Sequence, residues 1–300
     1  MSELNPADTI VGRMDNAFKD KVEELSEGKI KIDLKLGGEL GNDEELLQAF
    51  LRGTDSLHII RISVGYLESL GASKSVILTL PYVFSSRHQF WEFTKSPLAQ
   101  EFLDELYVDG HGIKGLFYGE EGFRNFFSVE PVYTPKDFYS KTVRLPEDPV
   151  LKKFAQSMGS TPLQIGFNAV HSSIKSGLID IADQPTVNYL ANSFYIEAPN
   201  LTLDEHSLGI AEAIISAKIW DSLTEKQQNI LIEAGQFASE FCFRISEEKE
   251  NHAIAALKTL GVNIIEVSDK TEWKKAAESV NKEYAAKHLD LYNKIQNLPK

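Results

Sequence analysis

Cysteine is almost missing from this chain of 300 residues, with Cys242 as the single example. An internal disulfide is therefore excluded, as are metal sites built from several thiolates. One thiol fits the cytosol and the bacterial periplasm alike. Positive charge is also scarce: 31 Lys and Arg stand against 44 Asp and Glu, a net charge of −13. Nucleic acid and anionic membrane surfaces are bound through stripes of Lys and Arg, so this balance excludes both as partners. Long apolar runs are missing too. The stretch from Leu208 to Trp220 is broken by Glu212, Ser216 and Lys218, well short of the roughly 20 apolar residues of a spanning helix. No membrane insertion is expected. The start, Met1 to Pro6, has neither a basic nor an apolar segment, so no signal peptide is read there.

Catalytic signatures are absent as well. There is no G-x-S-x-G, H-E-x-x-H, Walker A or EF-hand loop, and the seven histidines are scattered without ligand-like spacing. No catalytic residue, cofactor or metal site is expected. Lone histidines such as His171 and His206 read as packing or surface groups rather than general bases. Two apparent motifs dissolve on inspection. Gly110-His111-Gly112-Ile113-Lys114-Gly115 matches G-x-G-x-x-G, but a dinucleotide site needs strand, then glycines, then helix. Here a helix precedes and a strand follows, as at a helix C-cap. Asn200-Leu201-Thr202 is a three-residue glycosylation pattern of weak specificity.

What is present is an ordinary globular composition, 42% hydrophobic, 10% aromatic and 25% charged. It supports a sizeable core and, at this length, two domains. Phe18, Val22 and Leu25 mark an amphipathic helix over Asp15 to Leu25. Lys29 to Leu36 alternates polar and apolar, as a half-buried strand does. Asn42 is placed to cap a helix from Asp43 to Leu51. Leu57 to Val64 reads as a buried strand interrupted by Arg61. The alternation continues with a helix over Phe90–Leu106 and a strand over Ile113–Tyr118. A strand over Thr142–Leu145 then precedes a helix over Pro149–Met158, and a helix over Val170–Ser176 precedes a strand over Leu178–Ala182. A long helical stretch runs from Thr224 to about Leu260, a strand covers Val262–Val267, and a final helix spans Glu272–Leu298. This is an α/β pattern, and a largely parallel sheet is expected. Gly119-Glu120-Glu121-Gly122 and Leu203 to Ser207 look like boundaries. A chain crossing between lobes at both places would form discontinuous lobes, the layout of a hinged two-lobe protein.

The arginines are the most informative side chains, seven in a chain that otherwise prefers Lys. Arg61 interrupts Ile59-Ile60-Arg61-Ile62, Arg124 is flanked by Phe123, Phe126 and Phe127, and Arg144 lies in Val143-Arg144-Leu145-Pro146. A guanidinium in apolar strand context is costly unless paired. Each could be a structural ion pair with one of the 44 acids. Alternatively, they form a carboxylate site, because the planar fork of Arg matches a carboxylate bidentately.

The order of motifs resembles the extracytoplasmic solute-binding subunit of TRAP (tripartite ATP-independent periplasmic) transporters, the dicarboxylate-binding-protein type. Lys19-x-Lys21-Val22-Glu23-x-x-Ser26-x-Gly28-Lys29-Ile30 opens the likeness, followed by Gly38-Glu39-Leu40-Gly41 and Leu80-Pro81-Tyr82-Val83-Phe84. Gly122-Phe123-Arg124, then Pro131-x-x-Thr134-Pro135-Lys136-Asp137 and Val143-Arg144-Leu145-Pro146 continue it. Pro162 to Phe167, Ser176 to Asp180, Gln184-Pro185 and Trp220-Asp221-Ser222-Leu223 complete it.

The resemblance implies an α/β, two-lobe periplasmic-binding-protein-like fold, each lobe a β-sheet flanked by helices, with a long helix spanning the hinge. Lobe I would comprise 1–121 and 210–249, and lobe II 122–209 and 250–300. It implies no catalysis, an extracytoplasmic location, a small anionic organic acid as ligand and TRAP membrane subunits as partners. By the same resemblance Arg144 is the main carboxylate clamp, Arg124 a second arginine at the ligand and Phe167 an aromatic at the cleft. Gln184 stands where the family usually has Asn, and Arg61 falls on a cleft-facing strand position. Asn188, Glu120 and Tyr118 could reach a hydroxylated ligand. A sugar acid such as a uronate is favoured over a C4-dicarboxylate or keto acid. A ligand-sensing partner module is the remaining alternative. The chain departs from the family pattern at Ser56, Ala169, His171 and Ile181. The family's first strand would end near Met1, so a vacant pairing position is expected in the first lobe.

Overall fold

In the computed structural model, which describes residues 1–53 and 57–299, two unusually long strands organise the chain. Before them come helix α1 (Ile10–Leu25), helix α2 (Asp43–Leu51) and strand β1 (Ile59–Ser63). Three short helices follow: α3 (Arg87–Thr94), α4 (Pro97–Leu103) and α5 (Glu105–Val108). The first long strand is β2 (Ile113–Ser128). Then come β3 (Thr142–Leu145), α6 (Pro149–Ser157), β4 (Thr161–Gln164), α7 (Val170–Lys175), β5 (Ile181–Pro185) and α8 (Thr186–Ala191). The second long strand is β6 (Asn200–Ser216). The chain finishes with α9 (Ala217–Ser222), the 35-residue α10 (Glu225–Thr259), β7 (Asn263–Glu266), α11 (Thr271–Ala285) and α12 (Leu289–Gln296). Ser56 lies outside the described residues.

Among the described residues one seven-stranded sheet runs in the order β1-β6-β2-β5-β3-β4, with β7 also on β6. The expectation of a largely parallel sheet is corrected. β1 and β2 each pair antiparallel with β6, and β5 pairs antiparallel with β2. Parallel pairing is confined to β3 with β4 and β5, and to β7 with β6. The reason is that β2 and β6 run beside each other along most of their length. They are not joined through a βαβ crossover. Their register shifts between Gly115 and Phe117, Glu120 and Phe123, and Arg124 and Phe126. Such bulges bend and twist a ladder, and Gly122 at φ 95° supplies a backbone angle that other residues resist.

Three buried apolar clusters are seen among the described residues, and the neighbours Phe126 and Phe127 feed two of them. The first takes α1, β1, the start of β2, the end of β6, α10, and Leu291 and Ile295 of α12. The second gathers Phe126, Phe138, Phe154 and Trp273; the third Phe127, Tyr189, Phe194 and Leu257. Each such side chain contributes about 1.5–3 kcal/mol by leaving water. The long helix α10 lies close on α1 and β2 because Ala234, Ala238, Cys242 and Ser246 recur every fourth residue and all are buried. Burial pushes the Cys242 thiol well above its ordinary range.

Helix ends follow their capping chemistry. Asn42 and Glu45 form a capping box on α2, as do Thr224 and Gln227 on α10. The expected helix over Phe90–Leu106 is instead three helices, with Pro97 opening α4. The final helix is interrupted at His288, which leaves helical angles at φ −136°, ψ 43°. The expected strand over Leu178–Ala182 begins later, at Ile181, and Leu178 is exposed. Lys29–Leu36 forms no regular strand. Its Lys35 is bridged to Ser2, which also bridges Ile60, so residues 1–3 lie between that segment and β1. The first residues therefore occupy the pairing position that was expected to be vacant.

Gly110 and Gly112, at φ 78° and 75°, link α5 to β2 and open no phosphate-binding helix. Asn200 and Thr202 are buried within β6, where the Asn200 amide donates to the Ser128 and Val129 carbonyls.

Candidate functional site

Three guanidiniums reach one cavity of about 50 Å³, beside the β2 bulges. That is room for a few water molecules, since one needs roughly 10–15 Å³. Two unlike walls form it. The first comes from the N-terminal segment and the end of β1, with Asn5, Arg61, Ser63 and Tyr66. The second comes from the ends of β3 and β5, the turn after β4 and the start of α8, with Arg144, Pro146, Phe167, Gln184 and Asn188. Glu121 and Arg124 on β2 stand between them.

On the first wall, both Nε and Nη2 of Arg61 donate to the Glu3 carboxylate, and Nη1 lies 2.7 Å from Oε1 of Glu121. Glu3 is fully buried. Asp15 of α1 lies in the same charge cluster. Its burial, the charges of Glu3 and, less strongly, Glu121 push its carboxyl well above the usual range, against Arg61. On β2, Nε of Arg124 lies 2.5 Å from Oδ2 of Asp183. Asp183 is shared with His206, whose Nε2 is 3.5 Å from the same oxygen. The other ring nitrogen of His206 is 2.8 Å from Oδ2 of Asp204, and the ring stacks on Phe126 at 4.3 Å. Burial works against the Asp183 anion, but the charge and hydrogen bond of Arg124 and the neighbouring His206 hold its carboxyl below the usual range. Burial likewise works against the imidazolium, yet Asp204 and Asp183 push His206 up to about 9. His206 is thus a buried cation between two carboxylates, consistent with its reading as a packing histidine. Arg144 on the second wall is 2% exposed, and its Nε donates to the Ile165 carbonyl at 2.8 Å. Among the charges around Arg124, burial raises Asp148 to about 6 against hydrogen bonds from Leu151 and Val150 and the Arg124 charge.

The structure brings together Arg144, Arg124, Gln184, Arg61, Phe167 and Asn188. It does not bring Glu120 or Tyr118. Glu120 is fully buried and accepts hydrogen bonds from Arg87 and from the Trp91 indole, the latter at 2.8 Å. Its neighbour Glu121 lines the cavity instead, because consecutive strand residues leave opposite faces. Tyr118 is buried opposite Glu212 in the ladder and borders a separate cavity of about 570 Å³ between α4 and α10. That larger space is lined mainly by Trp91, Phe117, Trp220, Phe243 and polar helix residues. Convergent charge, not size, marks the smaller one as the candidate site. Sequence reading missed Asn5, Ser63, Tyr66 and Glu121. The Gly122 bulge next to Arg124 was the available signal for Glu121. His171 pairs with Glu197 and the Asn192 carbonyl, and Ile181 is buried in the second cluster.

The lining offers cations, amides and a carboxylate, a set that binds a polar anion by hydrogen bonds and charge. Among the described residues no three His, Cys, Asp or Glu side chains are grouped to hold a metal ion. No helix among them is long and apolar enough to cross a membrane. A small polar cavity beside two long strands that run between separately packed cores fits the architecture of a two-lobe solute-binding protein. The chain matches the family described as bacterial extracellular solute-binding protein, family 7, over residues 1–288, and it belongs to that family. This is a family of TRAP-type solute-binding proteins rather than enzymes, and it is extracytoplasmic. The C4-dicarboxylate-binding protein DctB of Bacillus subtilis (strain 168) is 28% identical over 94% of this chain and 81% of its own length. A TRAP periplasmic solute-binding protein of Pseudomonas putida F1 with bound D-glucuronate superposes with a TM-score of 0.94. It is 23% identical, covering 100% of this chain and 96% of the other. One from Sulfitobacter sp. NAS-14.1 with bound β-D-galacturonate is 26% identical, with a TM-score of 0.90 over 99% and 98% of the two chains.

Proposed function

We propose that this protein captures an anionic organic acid, a sugar acid such as a uronate, and presents it to TRAP membrane subunits. The reading rests on the convergence of Arg144, Arg124 and Arg61 on one cavity in a chain of net charge −13. In such a chain only a local cation cluster holds an anion. Arg144 takes the ligand carboxylate, Arg124 supports it, and Gln184 and Asn188 meet hydroxyls. Phe167 packs on the carbon skeleton. The solved relatives carrying D-glucuronate and β-D-galacturonate support a uronate. The hinge lies at the β2 and β6 bulges, near the division of 1–121 and 210–249 from 122–209 and 250–300. Closure about it would seal the ligand between the walls. The relative named for C4-dicarboxylates favours a second reading, a dicarboxylate ligand.

Thermal unfolding with D-glucuronate, D-galacturonate, an aldonate, succinate and a keto acid separates the readings. A uronate should raise Tm most. Arg144→Ala should abolish the shift, whereas Lys175→Ala, an exposed change on α7, should preserve it. Equal shifts in both variants would discredit the clamp.

A further inference from the structure

Arg61 lies on the cavity, yet it is already committed. Its Nε and Nη2 face Glu3, and Nη1 faces Glu121. Two carboxylates, those of Glu3 and Glu121, surround this one guanidinium. Asn5 defines the wall further. Its Nδ2 donates to Oε1 of Glu3 at 2.8 Å and of Glu121 at 3.3 Å. With the amide nitrogen so placed, the buried Oδ1 of Asn5 has no hydrogen-bond partner among the described residues. Asn5 and Glu121 both line the cavity. The first wall therefore asks for hydrogen-bond donors and repels anions.

We propose that Glu121, backed by Glu3 and Asn5, determines specificity: it accepts hydroxyl donors from a sugar monocarboxylate and rejects a second carboxylate at that end of the ligand. This deepens the functional reading above and rests on a ligand carboxylate being held at the opposite wall. A dicarboxylate seated with one end on Arg144 would turn its other anion toward two carboxylates whose shared guanidinium is already taken. A hydroxyl in the same place donates to Glu121 or to Asn5 Oδ1. Discrimination is then set by repulsion as much as by attraction.

Titration calorimetry tests this with D-glucuronate, D-glucarate and succinate on the wild type and on Glu121→Gln. The substitution keeps an acceptor for Arg61 and removes one charge. The wild type should bind glucuronate about 100-fold more tightly than either dicarboxylate. In Glu121→Gln the ratio should fall about tenfold, through tighter dicarboxylate binding. A wild type that binds succinate or glucarate as tightly as glucuronate overturns the proposal, with no variant needed. So does a folded Glu121→Gln protein with an unchanged ratio. These failures leave the carboxylate clamp standing. A wild type that binds none of the three acids removes the functional reading itself, and this proposal with it.

Discussion

Two buried arginines reach the same cavity from different strands, and their company differs. Arg61 is held by two carboxylates, Glu3 and Glu121, whereas Arg124 is matched by Asp183, which also serves His206. A guanidinium in an apolar strand therefore does not identify a ligand clamp by its residue type. What counts is how much of its charge the surrounding acids already use. On that measure the first wall is a structural ion cluster with acceptors to spare. The second wall sets Arg144 beside Gln184 and Asn188, and it is the wall on which the proposal places the ligand anion.

Removing Arg61 should break this contrast most severely. Arg61→Met strands Glu3 and Glu121 as buried charges, and a loss of about 3–5 kcal/mol in urea unfolding is expected. An unchanged midpoint would mean that the first wall is not an ion cluster. Loss of Arg144 acts on the ligand instead. Arg144→Ala should weaken glucuronate binding by roughly 100-fold, or about 3 kcal/mol, as two charge-assisted hydrogen bonds disappear. Calorimetry showing a loss of less than tenfold would move the clamp elsewhere.

The pH response sharpens the comparison at a smaller scale. His206 is pushed up to about 9 in the fold, from about 6.5 when unfolded. A raised pKa adds stability that is full below about pH 6.5 and is lost as pH rises through about 9. Unfolding free energy should therefore decline between pH 7 and 9.5, by on the order of 2 kcal/mol, and His206→Gln should flatten the decline. An equal slope in both proteins would remove His206 from the network's balance.

Away from the cavity, effects should shrink. Asn42→Ala removes the cap of α2 and should cost about 1 kcal/mol. Lys136→Ala breaks the exposed pair with Glu272 and should change stability by about 0–1 kcal/mol, read from the same urea curves.

The two walls also differ in how far the sequence disclosed them. Arg144, Gln184 and Asn188 sit on or just after short strands, within local patterns such as Val143 to Pro146 and Gln184-Pro185, and those patterns make them legible in the sequence. The first wall yielded only Arg61, because its partners come from far along the chain. Glu3 is 58 residues away in sequence, and no periodicity reports such a meeting. Glu121 rather than Glu120 lines the cavity, because which face of β2 meets the site is set by packing that the sequence pattern does not show. The same holds for the fold. Helices with clear caps, such as α2 and α10, were legible to within a residue or two. The antiparallel pairing of β2 with β6 was not, since sheet direction depends on contacts between distant segments. Gly119 to Gly122, read as a crossing between lobes, lies inside the unbroken strand β2.

The most direct measurement is a crystal structure of the protein with D-glucuronate bound. The sugar's carboxylate should lie within hydrogen-bond distance of the Arg144 guanidinium, with its hydroxyls turned toward Glu121 and Asn5. A carboxylate seated against Arg61, or a sugar bound outside this cavity, would contradict the account.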